Sequence, residues 1–78
     1  MTWFIVHRHG GPAHLPKYLA DCQYTERAWA NGEVHRLWHW VDGPLTGDQR
    51  ICQSCERTLR RRMAVLERYM IAAGLTIN

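Results

Sequence analysis

No apolar run in this chain approaches the roughly 20 residues that a membrane-spanning helix needs, so a membrane protein is not expected. The short apolar stretch at the start, Trp3-Phe4-Ile5-Val6, has no basic residues before it and no small-residue cleavage site after it. It reads as a strand rather than a secretory signal, and the expected location is the cytoplasm. Internal repeats, low-complexity tracts and linkers are also missing, which leaves residues 1–78 as a single small domain. Lysine is nearly absent, with Lys17 alone among ten basic residues. The three cysteines, Cys22, Cys52 and Cys55, are an odd number, which argues against a closed disulfide framework. A chain of 78 residues has little room for both a core and a deep substrate pocket, so binding is expected rather than catalysis.

The chain does hold a hydrophobic fraction of 46%, which argues for a folded domain over disorder. Residues 2 to 9 suit a first strand, which Gly10-Gly11-Pro12 breaks. Residues 13 to 21 read as a loop with one short helical turn after Pro16. Asn31-Gly32 favours a two-residue hairpin turn, and the arm that follows it holds the strand formers Val34, Trp38, Trp40 and Val41. A β-hairpin is therefore expected over residues 22 to 41, ended by Asp42-Gly43-Pro44. From Cys52 to Ala73, Leu59, Met63, Leu66, Met70 and Ala73 recur at helical spacing, with Gly74 following as a cap. The expected fold is α+β: an N-terminal strand, a hairpin and one long C-terminal helix.

Cys52-Gln53-Ser54-Cys55 opens that helix. The apolar stripe, extended backwards from Leu59, reaches Cys55 and Cys52, so both thiols are expected to face the core. Five histidines, at 7, 9, 14, 35 and 39, are available to complete a metal site. Structural zinc takes four Cys or His ligands in a tetrahedron. In the expected hairpin, residue i faces residue 63 − i, which makes Cys22 and His39 diagonal neighbours roughly 6–7 Å apart. The expected zinc ligands are thus Cys22, His39, Cys52 and Cys55, with His35, His14 and His9 as other sources of the fourth. His35 and His39 stand roughly 13 Å apart on a strand, too far to share one ion. Were the segment helical, both would join Cys52 and Cys55. Two other readings of the thiols are buried core cysteines and a thioredoxin-like redox pair.

From Cys22 to Arg62 the pattern resembles the treble-clef zinc fingers and, within them, the HNH endonucleases. Cys22-Gln23-Tyr24-Thr25 is similar to a knuckle whose second cysteine is Thr25, and Val34–Trp40 and Cys52–Cys55 occupy the later positions. The resemblance implies a zinc-stabilised, treble-clef-like fold. The chain departs from the nuclease pattern in having no adjacent histidine pair, no asparagine between Gly32 and Cys55, and Glu56 after the knuckle. A working nuclease is therefore only a remote alternative.

Arg57, Arg60, Arg61, Arg62 and Arg68 crowd twelve residues. Arginine's planar fork suits phosphate or carboxylate, although a solvated helix surface has the same composition. Thr25, Arg27, Trp29, Val34, Arg36, Trp38 and Trp40 share one expected hairpin face, fit either for stacking bases or for the core. The expected function is a zinc-stabilised module in which Arg57, Arg60, Arg61, Arg68, Arg36 and Trp38 engage nucleic acid or a nucleoprotein. The alternative is an inhibitor that docks on an acidic protein surface. In size and style the chain is similar to phage and mobile-element accessory proteins, among them anti-CRISPR and host-takeover inhibitors, which would act in the host cytoplasm.

Overall fold

Tryptophan, phenylalanine, isoleucine and valine in succession favour extended backbone, and Trp3–His7 form strand β1. A computed structural model describes residues 2–20 and 22–75; Asp21, the last residue of the expected loop, lies outside them. β1 pairs antiparallel with β2 (Trp38–Asp42), in a register running from Trp3 opposite Asp42 to His7 opposite Trp38. The other edge of β1 is bridged at Ile5 by His14, through two backbone hydrogen bonds of 2.9 Å. β1 is thus hydrogen-bonded along one edge to β2 and capped on the other by a single bridge, and Phe4, Ile5 and Val6 are all buried. Burial on both faces explains why this run is continuously apolar instead of alternating.

Phe4 and Val6 share one core cluster with Leu15, Leu59, Leu66, Met70 and the three cysteines. On the opposite face Ile5 meets Ala28 and Val34, with Trp29 and Trp38 packed against them. The molecule is α+β, with helices α1 (Glu26–Ala30), α2 (Val34–Leu37), α3 (Gln53–Arg61) and α4 (Glu67–Ala72) around the two-stranded sheet. After Pro16 the chain makes the expected turn, with the Leu19 and Ala20 N–H groups donating to the Pro16 carbonyl.

Two expectations are corrected. The hairpin over residues 22 to 41 does not form, because Glu26–Ala30 is helical and β2 pairs with β1 instead. Glu, Arg and Ala are good helix formers, and Asn31-Gly32 serves them as a helix end. The Asn31 N–H donates to Arg27 O, and Gly32 takes φ +77°, the left-handed conformation that commonly closes a helix. The same dipeptide therefore satisfies a helix terminus as well as it would a hairpin turn.

The single helix expected from Cys52 to Ala73 is two, separated at residues 62–66. A straight helix of that length would reach about 33 Å and exceed both shorter dimensions of the molecule, which extends 36 × 23 × 21 Å. Breaking it lets both halves lie against the sheet. The apolar stripe survives the break: Leu59, Leu66 and Met70 are buried, and Met63 and Ala73 are half-buried. Gly74 and Leu75 close α4 by donating to the carbonyls of Ile71 and Met70, the paired hydrogen bonds of a Schellman cap.

β2 meets α4 at Gly43. A Cβ built there would stand 2.6 Å from Thr2 Oγ1, 2.8 Å from Ala72 Cβ and 3.1 Å from Phe4 Cε2. Gly43→Ala is therefore expected to destabilise the fold by about 1–3 kcal/mol, as overpacking does. A urea titration reads this as a lower midpoint; an unchanged midpoint would mean that strand end and helix are not in tight contact.

Candidate metal centre

Four buried side chains converge between the β1 edge and the start of α3. The ligand atoms of His14, Cys22, Cys52 and Cys55 all lie within 4.8 Å of one another, close enough to hold a metal ion. Each comes from a differently anchored piece of chain. His14 is fixed by its two backbone bonds to Ile5 and by the edge of the Trp38 indole, whose centroid lies 5.4 Å from the imidazole. Ala13 ties this segment to the approach to α3: its N–H donates to Arg50 O, and the Cys52 N–H donates to Ala13 O. Cys52 thereby stands at the N-cap of α3 and Cys55 in its first turn, on the face directed inward.

Cys22 sits on a tight turn closed by Thr25, whose N–H and hydroxyl both donate to the Cys22 carbonyl, at 3.1 and 3.3 Å. Thr25 thus shapes the turn and is itself buried. The closest contacts in the cluster are 3.6 Å from Cys22 Sγ to His14 Nδ1 and 3.8 Å from Cys22 Sγ to Cys52 Sγ. Cys55 Sγ accepts a hydrogen bond from the Leu15 N–H at 3.3 Å. All three cysteines are free thiols.

Burial dominates the electrostatics. It lowers the pKa of His14, keeping the imidazole neutral and its nitrogen lone pair available. Burial also raises the Cys55 pKa strongly. The neighbouring Cys22 and Cys52 raise it further, and the Leu15 N–H opposes them. Three thiolates in so small a volume repel one another, and a cation among them would reverse that balance by making the ionised form the stable one.

No family model, curated protein or solved structure matches the chain. Its own geometry is therefore what bears on the role of the site. Of the four residues expected to bind zinc, Cys22, Cys52 and Cys55 come together, and the histidine beside them is His14. His39 is exposed on β2, paired across the sheet with Val6, and His35 and His9 are exposed elsewhere. The fourth position moved because the hairpin register that set Cys22 diagonal to His39 does not exist. A usable sign was present in Ala13-His14-Leu15-Pro16, where a histidine interrupts an otherwise apolar run, and all four residues are buried.

The residues expected at a binding surface divide. Arg57, Arg60 and Arg61 are exposed on α3, and Arg60 pairs with Glu56 at 3.6 Å. The break after Arg61 carries Arg68 away to α4, where it lines a separate depression beside Asp42 and Ile71. Arg36 is exposed on α2, while Trp38 is half-buried, edge-on to both His7 and His14. Sequence reasoning left out Lys17 and Tyr18. With Arg61 and Arg62 they line one depression between the turn after Pro16 and the end of α3. No acidic residue lines it among the described residues, and the Arg62 guanidinium donates to Leu19 O at 3.1 Å. No helix among the described residues is long and apolar enough to cross a membrane.

Proposed function

We propose that the protein is a small zinc-stabilised binding module that engages nucleic acid through the cationic depression at the end of α3. The observation that carries the metal reading is the spacing of the four ligand atoms. Zinc bonds of about 2.3 Å to sulfur and about 2.0 Å to nitrogen give tetrahedral edges of about 3.8 Å between sulfurs and about 3.6 Å between sulfur and nitrogen. Two of the six separations in the cluster, 3.8 and 3.6 Å, equal these edges, and all six lie within 4.8 Å. Soft thiols with one imidazole suit zinc over the oxygen-seeking magnesium or calcium. Four protein ligands with no open position describe a structural ion rather than a catalytic one.

The partner reading rests on charge. Lys17, Arg61 and Arg62 line one concavity that has no carboxylate among its described lining residues, a surface suited to phosphate. The net charge of +3 agrees in sign. Arg57, on the same helix face one turn before Arg61, extends this surface, whereas Arg68 does not contribute to it.

Native mass spectrometry is expected to find one zinc per chain, and its absence would remove the metal from the reading. A labelled single strand titrated across salt concentrations tests the partner. Binding is expected to weaken steeply with salt. The triple variant Lys17→Ala, Arg61→Ala, Arg62→Ala is expected to flatten the log–log slope by about 2, at about 0.7 for each phosphate no longer neutralised. Affinity independent of salt would point to docking on a protein instead.

A further inference from the structure

We infer that the aromatic cleft beside the cationic depression takes an unpaired base, so that the module prefers single-stranded to duplex nucleic acid. The inference rests on the nucleic-acid reading above and adds to it the form of nucleic acid that is bound. Trp3, Tyr18 and Trp40 line one cleft and are 36%, 70% and 42% exposed. So much aromatic surface left open on a small domain is surface offered to a partner.

The cleft is built from behind. Trp3 and Trp40 lie on one face of the sheet with Ile5, Trp40 directly opposite Ile5 and Trp3 two residues before it, and Trp40 is backed edge-on by Trp29 at 6.1 Å. Tyr18 neighbours Tyr69, whose pKa is raised by burial and then by Tyr18, and the Tyr69 ring sits edge-on against Phe4 at 5.5 Å. The most exposed ring of the cleft thus stands next to a core-packed one.

Tyr18 is also the link to charge, because it lines the Lys17, Arg61 and Arg62 depression as well. A phosphate held by those cations would leave its neighbouring nucleotide at the ring of Tyr18. Of the acidic residues, Asp42 lies opposite Trp3 in the sheet, and its carboxylate accepts a hydrogen bond from the Thr2 N–H at 3.1 Å. Rings beside a basic groove form the stacking platform and electrostatic funnel of single-strand binders. A duplex keeps its bases stacked inside, and extracting one costs several kcal/mol. The cleft thus discriminates by the availability of a base face, with little preference among bases.

The test is fluorescence anisotropy of a labelled twelve-nucleotide oligothymidine, alone and annealed to its complement, against the full-length chain. The single strand is expected to bind more than about tenfold tighter than the duplex, with quenching of tryptophan emission. Tyr18→Ala and Trp40→Ala are each expected to lose roughly 5- to 150-fold in single-strand affinity, with the salt slope unchanged. Two variants are used because Trp40 also touches Trp29; the result is read from those that keep the wild-type circular dichroism. Tyr24→Ala removes a ring that is equally open, at 65% exposure, but lies outside the cleft, and it is expected to bind as the wild type does. Equal binding of duplex and single strand, or unchanged affinity in folded Tyr18→Ala and Trp40→Ala, would overturn the cleft and leave the cationic reading standing. No binding of either form at low salt would overturn both.

Discussion

Chelation of the purified protein is expected to unfold it at 25 °C, with loss of its helical circular dichroism and recovery when zinc is returned. A domain of this size rarely obtains more than about 3–5 kcal/mol from its core alone. Structural zinc contributes about 10–16 kcal/mol of apparent binding free energy at neutral pH, and where the apo site is not formed that energy is folding energy. The four clustered side chains are also the seam of the molecule. Cys22, Cys52 and Cys55 belong to the same buried cluster as Phe4, Leu15 and Leu59. Without the ion, three thiols and an imidazole would be left in contact there with little to hold them together. Cys55→Ala removes both the ligand and the sulfur that accepts the Leu15 N–H, and should give the same unfolded chain without chelator. A thermal melt unmoved by chelator would show the thiols to be ordinary core residues, and the zinc reading would fall.

The second large effect separates two histidines. His14→Ala is expected to weaken zinc binding by more than the 10–100-fold lost when a residue that merely orients a ligand is changed. His39→Ala is expected to bind zinc as the wild type does, because His39 is exposed on β2 and outside the cluster. Competition with a chromogenic chelator measures both. The reverse result would restore the pairing of His39 with Cys22 and contradict the arrangement of the β1 edge.

What could be read from residues alone was mostly what is local. The Trp3–Val6 run specified a strand, and the Leu59–Ala73 stripe specified an inward face that stays inward even though the helix breaks within it. The two thiols at the start of α3 followed from that stripe. What could not be read depends on pairing across long separations. Asn31-Gly32 is equally at home in a hairpin turn and at a helix end, and only the competition for β1 decides between them. β2 finds its partner about 35 residues upstream, a pairing that no window of neighbouring residues contains. The ligand assignment failed at the same place, since His39 was derived from the hairpin and from nothing else. The division of the arginines had a similar origin: Arg68 shares a helical stripe with Arg57 and Arg61 only if the helix is unbroken.

The two hydrogen bonds of Ala13, one to Arg50 and one from Cys52, have a consequence for synthesis. They join residue 13 to residues 50 and 52, and the clustered His14 and Cys22 lie on one side of that junction with Cys52 and Cys55 on the other. Closing a loop of that size carries an entropic cost that must be met before its contacts exist. A chain growing from its N-terminus can pair β1 with β2 once Asp42 has been made, but the four-residue cluster stays open until Cys52 and Cys55 follow. Complete order is then expected to arrive late, when Cys55 and the core residues of α3 and α4 that follow it have left the ribosome, which makes a prematurely terminated chain a target for proteolysis rather than a partly working one.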